Sequence, residues 1–208
     1  DEGVDKGDFK VLSSAARQRG RDSSGLLFPI QSSNKLEVYR SDSDIIRLRS
    51  KVMKYDTKLV CGHSRLITNG ETDNQPVIKK DICVLHNGII VNSREIWDAI
   101  DKEPELKVDS EVIAALVLNY LSINQEPNFQ DLCDFVLSKC EGVVATAIVI
   151  GRLGKLLLLS NNGSLYFGKN SRGSYFSSES YPLAQIGCAL IEQVRNVCKV
   201  IDIPKFSE

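Results

Sequence analysis

The sequence predicts one α+β domain built on largely antiparallel sheets. Its segments read in a mixed order of strands, helices and then a run of strands, without the regular strand–helix alternation of a parallel sheet. The chain has 208 residues, of which 42% are hydrophobic and 25% charged, which is ordinary for a globular domain with a full core. Because no repeat, low-complexity tract or linker interrupts residues 1–208, we expect a single domain.

Apolar residues at helical spacing, bounded by capping residues and glycine, predict the helices. Asp8 is the expected N-cap of the first helix, and Gly20 follows its end. The predicted helices span residues 8–19, 44–53, 93–101, 109–121, 129–139 and 183–194.

Short apolar runs between turn-forming residues predict the strands. A polar loop over residues 68–76 separates two of them. The predicted strands span residues 25–30, 36–39, 58–63, 82–86, 143–150, 153–160, 165–168, 175–177 and 197–201.

Charge and composition exclude several classes of function. The net charge of −1 gives no electrostatic support for binding nucleic acid or a membrane surface, and the apolar runs are too short to span a bilayer. Six cysteines without a CxxC pair, and two histidines remote from any thiol cluster, predict no metal site, and we expect no cofactor. We expect a cytoplasmic protein with reduced thiols.

Two polar segments follow predicted elements in the first third of the chain. Residues 19–25 (RGRDSSG) have the composition of an ordinary turn after a helix. In residues 62–70 (GHSRLITNG), Arg65 could form a structural ion pair or grip a carboxylate with two parallel hydrogen bonds. His63 is interpreted as a core histidine whose hydrogen bonds are satisfied.

Two further segments have both an ordinary and a functional interpretation. Asn87-Gly88 follows a predicted strand and could form a hairpin turn, or an oxyanion hole in which the amide and the Gly N–H stabilise a negative oxygen. Asp109, in DSEV at residues 109–112, could cap a helix or hold a substrate ammonium.

Taken together and in this order, the four segments resemble the class II glutamine amidotransferases, most closely those of the glucosamine-phosphate synthase type. The family pattern is RGxDSxG, GH(T/S)R…TxG, HNGII and D(S/T)EV, and the resemblance covers about residues 8–203. It implies the four-layer αββα sandwich of the N-terminal-nucleophile hydrolases. It also implies hydrolysis of glutamine, with the ammonia delivered to a synthase domain or partner.

The resemblance implies a role for several matched residues. Arg65 would bind the α-carboxylate of glutamine and Asp109 its α-ammonium. Asn87 and Gly88 would form the oxyanion hole for the thioester-forming step.

Three residues near Arg65 would line the glutamine pocket by the same resemblance. They are Leu66, Thr68 and Asn69. The family usually has an aromatic residue at the position of Leu66, so we expect a different pocket lining there.

The family nucleophile is an N-terminal cysteine whose α-amino group acts as the base, whereas this sequence starts with Asp1. We therefore expect a first strand with the nucleophile to precede Asp1. A pair of Cys61 and His63, two residues apart on one strand, is a weaker alternative.

The ammonia acceptor is expected to belong to amino-sugar or amino-acid biosynthesis, and the resemblance makes a homodimer an expectation. Two other functions stay open from the sequence. One is a non-catalytic glutamine-binding or assembly module that has lost its cysteine. The other is an amidohydrolase of the same fold that acts on another amide.

Overall fold

The computed structural model describes residues 3–33, 35–65 and 75–206. The helices are α1 (Lys6–Arg19), α2 (Ile45–Val52), α3 (Ser93–Ala99), α4 (Glu111–Ile123), α5 (Phe129–Lys139) and α6 (Ser180–Gln185), with a 3-10 turn at Gly151–Leu153. The strands are β1 (Ser23–Ile30), β2 (Lys35–Ser41), β3 (Cys61–Arg65), β4 (Val77–Lys79), β5 (Ile82–Ile90), β6 (Gly142–Ile150), β7 (Lys155–Ser160), β8 (Tyr166–Asn170), β9 (Gly173–Ser177), β10 (Leu190–Gln193) and β11 (Cys198–Asp202).

The largest sheet is antiparallel and has five strands in the order β11-β7-β6-β5-β4. Both faces of its central strands are buried, because side chains alternate between two hydrophobic clusters. Val84 and Ile148 face the cluster that contains α4 and α5, whereas Leu85 and Ala147 face the cluster shared with β8. This two-sided burial explains why the central strands are near-continuous apolar runs.

Two smaller antiparallel sheets lie on the other side of the second cluster, in the orders β2-β1-β3 and β10-β8-β9. Helix α2 packs on β1, α1 packs on β3 and α2, and α6 packs on β8, β9 and β10. Helices α4 and α5 cover the far face of the five-stranded sheet. The layers are therefore helices, sheet, sheets and helices, which confirms the predicted α+β class and the αββα arrangement.

Two predictions about helices are wrong. Helix α1 begins at Lys6, and its N-cap is Asp5, whose carboxylate accepts the Asp8 N–H at 2.7 Å. The helix predicted over residues 183–194 ends at Gln185, because Gly187 takes a left-handed φ of 79° and the chain then forms β10.

Two strands also differ from the prediction. The segment predicted as a loop up to residue 76 is followed by the short strand β4, which pairs with β5. Strand β5 continues through Asn87 and Gly88 to Ile90, paired with β6 along its whole length. The hairpin interpretation of Asn87-Gly88 is therefore wrong.

The prediction of reduced thiols is wrong for one pair of cysteines. Cys133 in α5 and Cys198 in β11 form a disulfide, with their Cα atoms 6.0 Å apart. The other four cysteines are buried and not disulfide-bonded, as expected for small hydrophobic side chains. In the described ranges, no helix has the length and apolar character needed to cross a membrane.

Candidate active site

A cavity of about 400 Å³ lies between the five-stranded sheet and the two smaller sheets. Its walls include β3, β9 and the end of β5 at Asn87. Within the described ranges, β3 pairs only with β1, and β9 pairs only with β8. Each of these strands therefore has one edge without a backbone partner in the described part of the chain, and both strands border the cavity.

Gly88 has a backbone that only glycine adopts readily. Its φ is 143°, and a Cβ at this position would lie 1.8 Å from the carbonyl oxygen of Val143 on β6. The chain can therefore expose the backbone of Gly88 inside a paired strand. This backbone geometry therefore requires glycine at position 88.

Asn87 precedes Gly88 and contacts a residue of the opposite sheet. The ring atom Nε2 of His63, on β3, lies 3.1 Å from Asn87 Oδ1. Burial lowers the pKa of His63 to about 4, so the imidazole is neutral at pH 7. The prediction of a core histidine with satisfied hydrogen bonds is consistent with this contact, but its partner is a candidate catalytic residue.

Asp109 lies beside the same end of β5. Its Oδ2 accepts the Ile90 N–H at 2.8 Å, two residues after Gly88. The N-cap of α4 is Ser110, whose side chain makes no capping bond, so the capping interpretation of Asp109 is not supported. The structure thus brings Asp109 to Ile90, 19 residues away in sequence and two residues after Gly88.

Gln75 supports β5 immediately before Asn87, and no sequence motif indicates this role. Its side-chain amide forms two hydrogen bonds with the backbone of His86, accepting the N–H and donating to the carbonyl oxygen at 2.8 Å. The His86 ring lies 3.1 Å from Ser110 Oγ and 3.2 Å from the carbonyl oxygen of Val143. These contacts fix the backbone that leads into the oxyanion candidate.

Glu111 holds the loop before Asp109. Its fully buried carboxylate accepts the backbone N–H groups of Glu105 and Leu106 and pairs with Lys79 at 2.7 Å. Glu111, the second acidic residue of the DSEV segment, therefore holds the backbone of the loop that precedes Asp109. Because those partners are set by tertiary contacts, the spacing of the sequence could not identify them.

Arg65 ends β3, two residues after His63, and its charge contributes to lowering the His63 pKa. Leu66, Thr68 and Asn69, predicted to line the glutamine pocket, lie outside the described residues. Of the described residues, no cluster of three or more His, Cys, Asp and Glu side chains could hold a metal ion.

A family model described as a glutamine amidotransferase domain matches residues 63–185. The chain belongs to this family. The match includes Arg65, Asn87, Gly88 and Asp109 within its bounds.

Curated relatives of this amidotransferase domain include two isomerizing glutamine–fructose-6-phosphate aminotransferases. The protein of Thermotoga maritima is 30% identical over 181 residues, which cover 79% of this chain and 28% of that protein. The protein of Campylobacter jejuni is 28% identical over 176 residues, which cover 79% of this chain and 29% of that protein. The chain therefore spans less than a third of the length of these relatives.

The fold of the amidotransferase domain matches that of a solved enzyme. Glutamine phosphoribosylpyrophosphate amidotransferase from B. subtilis, complexed with ADP and GMP, superposes with a TM-score of 0.74 at 17% identity. The match covers 97% of this chain and 47% of the other. At this identity the similarity supports the predicted N-terminal-nucleophile fold and nothing more specific.

Cys61 does not offer the amidotransferase domain a nucleophile. Its side chain is 1% exposed in the cluster between the sheets, and burial raises the pKa of its thiol. A thiol that stays protonated is a poor nucleophile. The burial of Cys61 therefore argues against the alternative of a Cys61–His63 catalytic pair.

Strand β9, one wall of the cavity, is anchored to α1 by a buried carboxylate. Asp8 accepts two hydrogen bonds from the Arg172 guanidinium, at 2.7 and 2.9 Å, and one from the Tyr175 hydroxyl at 2.6 Å. Burial alone would raise the pKa of Asp8, but these bonds lower it below its usual value. This interaction fixes the β8–β9 turn against the first helix.

Proposed function

We propose that this domain hydrolyses the side-chain amide of glutamine to glutamate and ammonia through a thioester on a cysteine that precedes Asp1. The observation that carries the proposal is the end of β5. There, Asn87 borders the cavity, Gly88 has a backbone conformation that only glycine adopts readily, and the carboxylate of Asp109 accepts the Ile90 N–H two residues further on. Groups that can polarise an amide carbonyl, close to a carboxylate that can bind an ammonium, suit the amide of an amino acid as substrate.

Asp109 and Arg65 are the proposed ligands of the amino-acid end of glutamine. A carboxylate has about four acceptor positions, so Asp109 can bind the α-ammonium while one oxygen keeps the Ile90 N–H. Arg65 can bind the α-carboxylate with two parallel hydrogen bonds. The two opposite charges would orient the substrate and place its amide towards Asn87.

Asn87 and Gly88 are the proposed oxyanion hole. The cysteine sulfur attacks the amide carbon, and the carbonyl electrons move to the oxygen, which the Asn87 amide and the Gly88 N–H stabilise. When the intermediate collapses, the C–N bond breaks, and ammonia leaves with the proton that the α-amino group took from the thiol. Water then hydrolyses the thioester to glutamate and restores the thiol.

The cysteine is proposed to lie on a strand that fits between β3 and β9. Both strands border the cavity, and each has one edge that no strand of the described ranges occupies. An inserted strand could pair with both at the usual spacing of about 4.8 Å on each side. It would join the two small sheets into one and bring its start towards Asn87.

The ammonia is proposed to go to an amino-sugar synthase domain or subunit. This step rests on the curated relatives, which are glutamine–fructose-6-phosphate aminotransferases and are more than three times as long as the part that this chain matches. A cytoplasmic location and a homodimer stay predictions. Sedimentation analysis of the complete protein tests whether it is a homodimer.

Labelling with a diazoketone analogue of glutamine tests the nucleophile. A protein that includes the natural upstream segment should be labelled once, at its N-terminal cysteine, as located by mass spectrometry of peptides. The matched variant Cys61→Ala should be labelled equally. No label on a folded, N-terminally complete protein would support a non-catalytic module instead.

A substrate and acceptor panel tests the reaction. The complete protein should release ammonia from glutamine and not from asparagine, and it should transfer nitrogen to fructose 6-phosphate. Transfer to phosphoribosylpyrophosphate or aspartate would overturn the amino-sugar assignment. Equal hydrolysis of several unrelated amides would favour the broader amidohydrolase.

A further inference from the structure

We infer that His63 is a positioning residue that sets the direction of the oxyanion donor. It donates its Nε2–H to Asn87 Oδ1, and this turns the Asn87 amide nitrogen away from His63 and towards the cavity. The inference rests on the proposed function and deepens it. It explains how the Asn87 side chain, whose oxygen and nitrogen have similar shapes, would present its nitrogen to the oxyanion.

The contact joins two layers of the fold. His63 belongs to the sheet of β1, β2 and β3, whereas Asn87 belongs to the five-stranded sheet. Nε2 and Oδ1 are 3.1 Å apart, and both side chains line the cavity. Within the described ranges, Asn87 makes no other side-chain hydrogen bond, so His63 determines its orientation there.

The tautomer of the ring decides which end of the amide faces the cavity. A neutral imidazole carries one N–H, and its other nitrogen can only accept. With the hydrogen on Nε2, the carbonyl of Asn87 is held by His63, and Nδ2 is free to donate to an oxyanion. With the hydrogen on Nδ1, Nε2 would bind the Asn87 amide nitrogen, and the carbonyl would repel the oxyanion.

The surroundings of His63 keep the ring neutral. Burial is the main cause of its lowered pKa, and the positive charge of Arg65 and the nearby ring of His86 lower it further. The bond to Asn87 and the backbone of His86 act in the opposite direction but do not offset the burial. A neutral ring carries its single N–H on either Nδ1 or Nε2, so the Nε2–H tautomer can specify one orientation of Asn87.

Kinetics of the complete protein, with its natural N-terminus, test the inference through a double-mutant cycle. His63→Leu should lower the kcat for glutamine hydrolysis about 10- to 100-fold, with KM changed less than about threefold, since Arg65 and Asp109 still bind the substrate. Asn87→Ala should cost about 10²- to 10³-fold. The double variant should match Asn87→Ala, because His63 acts only through Asn87.

Two further variants separate positioning from stability. His63→Gln can place an amide donor near the position of Nε2 and should recover most of the kcat. Thr146→Val removes a nearby buried hydrogen bond, from Thr146 Oγ1 to the Leu85 carbonyl at 2.9 Å, and should lower the melting temperature without lowering the kcat. Multiplying effects in the double variant, an unchanged kcat in His63→Leu or a pure rise in KM would each overturn the inference.

Nitrogen-15 NMR of the His63 ring tests the inference without catalysis. The expected spectrum shows the Nε2–H tautomer at pH 7, and Asn87→Ala should shift that nitrogen. An Nδ1–H tautomer would overturn the inference, even if His63→Leu does not fold. An inactive parent protein would overturn the proposed function, whereas the tautomer would still decide how Asn87 is oriented.

Discussion

The end of β5 and the pair of strands β3 and β9 border the same cavity but differ in how they are supported. Strand β5 has backbone partners along both sides of its first half, and its Asn87 and Gly88 are paired with β6. Strands β3 and β9 each have one partner strand in the described part of the chain. Under the proposed function, the oxyanion half of the site is preformed, and a further strand completes the nucleophile half.

Gly88→Ala should produce the largest effect and tests the preformed half. The new Cβ would meet the Val143 carbonyl oxygen at a φ that L-residues avoid. We expect a loss of several kcal/mol of stability and at least about 10³-fold of glutaminase activity. Thermal melting and kcat measure these losses.

Gly173→Ala at the start of β9 is the matched control. Its Cβ would meet the Tyr175 hydroxyl at an ordinary 3.6 Å. We expect a change in stability below about 0.5 kcal/mol. Equal losses at the two glycines would contradict the contrast between the two regions.

Asp109→Asn should lower the kcat/KM for glutamine by about 10- to 100-fold through KM, because a neutral amide binds the ammonium weakly. The fold should survive, since the asparagine carbonyl can still accept the Ile90 N–H. Steady-state kinetics measure the effect. The exposed Asp134→Asn should leave kcat/KM unchanged, and an unaltered KM in Asp109→Asn would remove Asp109 from the substrate site.

Asp8→Asn should cost about 1–2 kcal/mol of unfolding free energy, because it removes the negative charge that Arg172 and Tyr175 bind. The loss should be local to the β8–β9 turn and α1. Hydrogen exchange of the β9 amides should therefore accelerate more than that of β5. A uniform acceleration would show that the two regions unfold together.

A pH dependence is expected at His63. Its folded pKa of about 4 lies below the usual 6.5, so the unfolded chain binds more protons between these values. Stability should therefore fall as the pH drops from about 6.5 to 4, by at most about 1.4 kcal/mol per pH unit from this residue. His63→Gln should flatten that part of a denaturation series, and an identical slope would place the protonation elsewhere.

The sequence predicted the local elements well and the long-range support of the site poorly. Residues 129–139 were predicted as a helix and form α5 with the same ends, because apolar spacing and the Asn128 cap are local signals. The hydrogen bond from Gln75 to the His86 backbone and the Cys133–Cys198 disulfide each join two residues that only the fold brings together. No periodicity or motif reveals such pairs.

The candidate site shows the same difference between local features, which the sequence predicts, and long-range contacts, which it does not. The segments that contain Asn87, Gly88 and Asp109 could be found from the sequence, since their residue types suit the proposed chemistry. That Gly88 lies within a paired strand, and that His63 contacts Asn87, follow from the packing of two sheets. The sequence favoured a structural role for His63, and the contact adds a specific partner.

Glutamine hydrolysis by a matched pair of proteins tests the central claim most directly. One protein comprises residues 1–208, and the other adds the natural segment that precedes Asp1. The account predicts that only the extended protein converts glutamine to glutamate, and that Asn87→Ala in it lowers the kcat by about 10²- to 10³-fold. Equal turnover by residues 1–208 alone, or none by the folded extended protein, would contradict it.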